Sequence, residues 1–227
     1  MAMSRTTPIV PDVTLTRLFP GRLHAGAELD GARISGDLSG LHAPDVRVLE
    51  SELLDAVADE AMLRGSSWAD ARWVRVRATS LDLARSVFRD ALWDGCRVGA
   101  VTLSAGTITR VLLRDCKLDY VNLRQSTITD LTIDRCTLGE VDLGDAVLTR
   151  VRVVASEIGT LLLSGSRSAH VDLSGAGLLR IEGLAALRGI TLSDTQAYDL
   201  APALVRHLGG AVVPRDRRLP GTASMDA

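Results

Sequence analysis

The sequence predicts an all-β fold: a four-sided β-helix of about twenty residues per coil, closed by a C-terminal capping helix. Three observations predict it. An apolar residue returns every fifth position through most of the chain. Side-chain types return every twenty. Aromatic residues make up only 3% of a chain that is 46% apolar, which describes a narrow core filled by Leu, Val and Ile.

The five-residue frame runs without insertion from Val46 to Arg180, in blocks such as VTLSA, GTITR, VLLRD and CKLDY (101–120). The third residue of each block is nearly always apolar, as in Leu103, Ile108, Leu113, Leu118 and Leu123, and the first is small or aliphatic. Five matches neither the 3.6 of a helix nor the 2 of a strand. The first and third residues alternate like a very short strand, and the polar fourth and fifth read as a turn. Each block is one side and one corner, with Leu123 facing in and Arg124 facing out.

The first positions count the sides. Cys96, Cys116 and Cys136 recur every twenty residues, and Ser66, Ser86, Gly106, Ser126, Ala146 and Ser166 form a second small column. Leu81, Val101, Val121, Val141 and Leu161 form a large one. Four blocks per coil keep these sets together, and three would scramble them. The same spacing stacks Arg110, Asp130 and Arg150, pairs Arg114 with Asp134, and pairs Asp115 with Arg135. Neighbouring rungs sit about 4.8 Å apart, where opposite charges stabilise by roughly 0.2–1 kcal/mol per pair.

Blocks such as VNLRQ, VDLGD, VDLSG, CKLDY and AELDG (27–31) resemble the pentapeptide-repeat family, whose pattern is A-(D/N)-L-x-x. The likeness covers about residues 25–187, with Val, Leu or Cys where Ala is usual. It implies a right-handed quadrilateral β-helix whose third residues fill the interior. The expected organisation is a leader over 1–24, the β-helix over 25–187, a cap with a helix over 188–209, and a flexible tail over 210–227. The first coil is irregular, because Gly36-Asp37-Leu38 falls one residue out of frame. Near the other end Gly183 takes a core position. Ser193 reads as a helix N-cap with Gln196 completing a capping box. Ala197, Leu200, Leu204 and Leu208 then follow at helical spacing, Pro202 is expected to kink or divide the helix, and Gly209 ends it.

Lys plus Arg (26) nearly balance Asp plus Glu (28), which argues against a nucleic-acid binder, since that needs a basic face. No apolar run reaches the roughly 20 residues of a membrane span or resembles a signal peptide. Three cysteines fit a reducing compartment, so a cytoplasmic location is expected. The histidines (24, 42, 170, 207) are scattered, and no HExxH, Ser-His-Asp order or phosphate loop appears. No cofactor, metal site or catalytic residue is expected. The stacked cysteines and the columns Trp68/Phe88 and Trp73/Trp93 read as core. The expected function is non-enzymatic protein binding or scaffolding.

Two candidate surfaces remain. The column Glu50, Asp70, Asp90 is a like-charge stack and the best candidate for a partner-facing acidic strip. The helix face Ala197, Leu200, Leu204, Leu208 could cap the coil or join two copies in a homodimer. The family resemblance implies one specific alternative: some members mimic DNA in size and charge, bind DNA gyrase and protect it from quinolones.

Overall fold

The computed structural model describes residues 7–15 and 18–213. Between Glu28 and Thr191 the chain winds as a parallel-strand solenoid of about eight turns. Register is constant at twenty residues through the centre: Ile108 pairs with Ile128, Ile128 with Leu148, Val98 with Leu118. The third positions form four inward columns. Face one carries Val48, Trp68, Phe88, Ile108, Ile128 and Leu148; face two Leu53, Trp73, Trp93, Ile133 and Val153. Face three carries Ala58, Ala78, Val98, Leu118, Leu138 and Ile158; face four Leu63, Leu83, Leu103, Leu123, Leu143 and Leu163. All of these are buried.

The first positions close the corners. Their hydroxyls and thiols bond the backbone of adjacent rungs: Ser126 Oγ donates to the Leu103 carbonyl at 2.8 Å, and the Cys136 amide donates to Ser156 Oγ at 2.9 Å. A buried backbone amide left without an acceptor costs about as much as a lost hydrogen bond, which favours Ser and Cys there.

The fifth positions turn the corners. At three of the four corners they lie in the left-handed region even when they are not glycine, as in Asp70, Arg75, Arg85, Asp90, Ala105, Arg110 and Gln125. At the corner after face three Glu60 does so too, with φ 57°, but Ser80, Ala100, Tyr120, Glu140 and Thr160 do not. From Ser80 onward that corner is therefore built from a different turn.

The first coil is one residue short, as the frame slip at Gly36 predicts. Arg47 pairs with Glu28 and Glu52 with Arg33, nineteen residues apart, and the spacing becomes twenty at Gly36–Ala56. Phe19–Pro20 adds a partial strand beside Ala32–Arg33, so β pairing begins inside the leader segment. Proline is tolerated on such an edge because it has no N–H to leave unpaired. At the far end Ile190–Thr191 pairs with Val171–Asp172. Gly183 has φ +81°, and a Cβ there would lie 2.7 Å from the Ser164 amide nitrogen. No other residue fits this departure from the frame.

The C-terminal unit contains one helix, Asp194–His207, starting just after Ser193. Pro202 lies within this single helix and does not divide it. Proline removes one helical hydrogen bond, and the strong helix formers Ala201, Ala203 and Leu204 surround it. Gly209, with φ +83°, terminates it: Gly209 N–H reaches the Arg206 carbonyl at 3.0 Å and Gly210 N–H the Val205 carbonyl at 2.8 Å. This is a Schellman ending. Most of the tail, from residue 214, lies outside the described residues.

Candidate functional site

The bore of the coil offers little room for chemistry. Two interior cavities of about 40 Å³ each lie between Phe88 and Ile190, lined by apolar side chains and, in the second, Ser168. The ring columns are core, as their inward positions predict. Trp73 and Trp93 stack at 4.6 Å with planes 3° apart, and Trp68 meets Trp73 edge-on at 4.7 Å. Trp68 Nε1–H donates to Ser66 Oγ at 2.8 Å, while Trp73 Nε1 is buried without a partner.

The cysteines are buried free thiols. They stack without converging, and among the described residues no group of His, Cys, Asp and Glu could hold a metal. The Cys136 thiol is held well above its usual pKa by its contact with Cys116 and by burial. It stays protonated, so it is a poor nucleophile or ligand.

Any recognition chemistry therefore lies outside, and most outer charges already have partners in the coil. Arg75 reaches Asp55 at 2.7 and 2.8 Å, Arg135 reaches Asp115 at 2.9 and 3.0 Å, and Arg150 reaches Asp130 at 2.6 and 2.8 Å. In each pair the arginine bonds the aspartate one rung earlier. That direction corrects two expected pairs. Arg110 bonds Asp90 rather than Asp130, and Arg114 bonds Asp94 at 2.5 Å, leaving Asp134 to Arg135 at 2.6 Å.

The acidic strip is shortened for the same reason. Both carboxylate oxygens of Asp90 accept from Arg110 at 2.5 Å. The like-charge stack reduces to Glu50, which is exposed, and Asp70, which is half-buried. Arg110 is the next member of that same column and was the signal that ends it. Of the expected helix face, Ala197 is exposed and Leu200 and Leu204 half-buried, while Leu208 lies just past the end of the helix and is exposed; Tyr198, absent from the sequence-based set, is 81% exposed.

Face two carries more aliphatic residues in its outer positions than the other faces do, set among Glu52, Arg72, Asp94, Arg114, Thr132, Asp134 and Arg152. Leu54, Val74, Leu92, Leu112 and Val154 all point outward from it, and Val74 and Glu52 are buried despite doing so. Residues 7–10 lie beside this face. Pro8 and Val10 line a cleft with Leu112, Thr132 and Val154, and the Ile9 amide donates to Asp130 Oδ1 at 3.1 Å. Asp130 is 3% exposed and already holds Arg150, so its carboxyl lies below its ordinary pKa, chiefly through Arg150, against the opposing effect of burial. These aliphatic positions are visible in the sequence when the second and fourth positions are read as columns.

A five-residue block on each side, four sides to a rung and twenty residues between paired strands together decide the architecture. The chain is a parallel β-solenoid of five-residue repeats, four to a turn. No family model and no curated protein matches the chain. Solved structures similar to this solenoid include HetL, a pentapeptide repeat protein involved in heterocyst differentiation regulation from the cyanobacterium Nostoc, at 17% identity and a TM-score of 0.40, covering 75% of this chain and 91% of HetL. Full-length QnrB1, a plasmid-mediated fluoroquinolone resistance protein, matches at 13% identity and a TM-score of 0.32, covering 81% of this chain and 99% of QnrB1. The assignment of the fold rests on this chain's own register and frame.

Proposed function

We propose that this solenoid is a protein-binding scaffold. The observation that carries the reading is the distribution of polar chemistry. The bore is packed with apolar side chains, and the corner charges are largely paired between rungs. What the molecule offers a partner is rigid outer faces whose side chains repeat at rung spacing. Such faces suit extended protein contacts, in which shape and apolar burial dominate and paired charges set the rim.

The test is site-specific photo-crosslinking from outward positions on each face: Thr127 on face one, Leu112 on face two, Thr137 on face three and Asn122 on face four. A scaffold captures the same protein from one face, and an Asp substitution beside that position abolishes capture. Capture spread evenly over all four faces, or unchanged by the substitution, overturns the reading. The topoisomerase alternative is weakened by the Asp90–Arg110 pair, which interrupts the acidic column it would use. DNA supercoiling by gyrase is expected to be unaffected by this protein, with or without a quinolone.

A further inference from the structure

We propose that the outer stripe of face two is a docking surface for an extended, aliphatic, proline-bounded segment of a partner protein, and that residues 7–15 occupy it as a detachable internal substitute. The proposal rests on the scaffold reading and gives it a face and a partner chemistry.

The first argument is the kind of segment the face can accept. Leu92, Leu112, Thr132 and Arg152 are register partners along the coil axis. Their backbone donors and acceptors are consumed between rungs, so nothing can join this face by strand pairing. A visiting chain must be held by its side chains, and its own N–H groups must find other acceptors or water. A segment with prolines meets that condition, because it has fewer N–H groups and a backbone already biased toward extension.

Residues 7–15, Thr-Pro-Ile-Val-Pro-Asp-Val-Thr-Leu, have this character. Between Pro8 and Pro11 only Ile9 and Val10 carry amides, and Ile9 donates to Asp130. Asp130 is a built acceptor: nearly buried, oriented by two bonds from Arg150, and placed at the corner that opens face two.

The second argument is how lightly the internal segment is held. Among the described residues, the Ile9 bond is the one hydrogen bond from 7–15 to the coil. Among the described residues, backbone pairing with the coil begins at Phe19. Ile9 and Val10 remain 40% and 52% exposed, although Val10 lines a cleft with Leu112 and Val154. A partner segment that fills the stripe more completely would displace them.

The experiment uses the full chain and a fluorescein-labelled peptide of residues 7–15, read by fluorescence anisotropy. In Ile9→Asp the internal segment gains a carboxylate beside Asp130, which repels it, while the coil is untouched. The peptide is expected to bind Ile9→Asp about tenfold or more tightly than the natural chain, because apparent affinity scales with the uncovered fraction. Adding Leu112→Asp, an outward change, should abolish binding without altering the circular dichroism spectrum. Equal binding to both chains, binding to neither, or binding that survives Leu112→Asp overturns the proposal. Crosslinked capture on another face, with no peptide binding here, would overturn it and leave the scaffold reading standing.

Discussion

Two stretches of one coil fill the same four-sided bore with different side chains. Around residues 66–95 the bore holds Trp68, Trp73, Phe88 and Trp93; around 101–163 it holds Leu, Ile and Val. The backbone does not widen to admit the rings, since register stays at twenty residues through both stretches. Volume is balanced by neighbours instead. Ala71 and Ala91 precede Trp73 and Trp93 on face two, and Ala58 and Ala78 line face three nearby. Where the third positions shrink to Leu113, Ile133 and Val153, the first positions grow to Val111, Leu131 and Val151. The compensation is incomplete in the aliphatic stretch, where the two apolar cavities lie. Interiors pack at near-crystalline density, so a repeat can change its residues only if several columns change together.

Four pairs of substitutions sharpen or break this comparison, beginning with the largest effect. Leu123→Asp places an unpaired carboxylate in the bore and should cost several kcal/mol. Its outward neighbour Arg124 bridges Asp142 and Asp145 at 3.3 Å, so Arg124→Asp should cost about 1 kcal/mol; equal effects in urea unfolding would show that the frame is misplaced. Next, Trp73→Ala should cost about 3–5 kcal/mol and Ile133→Ala about 2 kcal/mol, since Trp73 loses three ring partners and Ile133 already borders both cavities. The reverse order would mean that the aliphatic stretch is the tighter of the two.

Adding carbon should change sign between the stretches. Ala91→Val, fully buried beside the rings, should destabilise by about 1–3 kcal/mol. Val141→Ile, on the wall of both cavities, should stabilise by up to about 0.8 kcal/mol. Loss of stability in both would show that the cavities cannot be filled from face four. The smallest test concerns the corners. Ala105 has φ +54° and Ala100 lies at the corner outside the left-handed region. Ala105→Gly should raise the melting temperature slightly, because a left-handed L-residue costs about 1–2 kcal/mol, whereas Ala100→Gly should cost about 0.5–1 kcal/mol.

The charge pairs predict the response to acid. Arg75, Arg135 and Arg150 hold Asp55, Asp115 and Asp130 below the ordinary carboxylate value. Depressed folded values make the native state bind fewer protons than the unfolded one. Their contribution is complete above the unfolded carboxylate value of about 3.9 and is lost as pH falls through the lower folded values. Denaturant unfolding measured from pH 5 to pH 2 should show this loss, and Asp130→Asn should reduce it. A flat profile would mean that the pairs add nothing measurable.

The rung, the four columns, the short first coil, the helix and its glycine ending were all legible in the amino-acid sequence, because each is a local pattern or a regular period. The inward places of Trp68, Trp73 and the three cysteines followed from the frame alone. Tertiary structure decided the rest. Which aspartate Arg110 takes depends on the direction its side chain leans between two rungs that are equally close in sequence spacing. The cleft over Leu112 and Val154 depends on where a non-repeating segment comes to lie. Periodicity reports what each residue repeats with; it carries no information about a segment outside the period, so the segment's place along face two appears only once the coil is built.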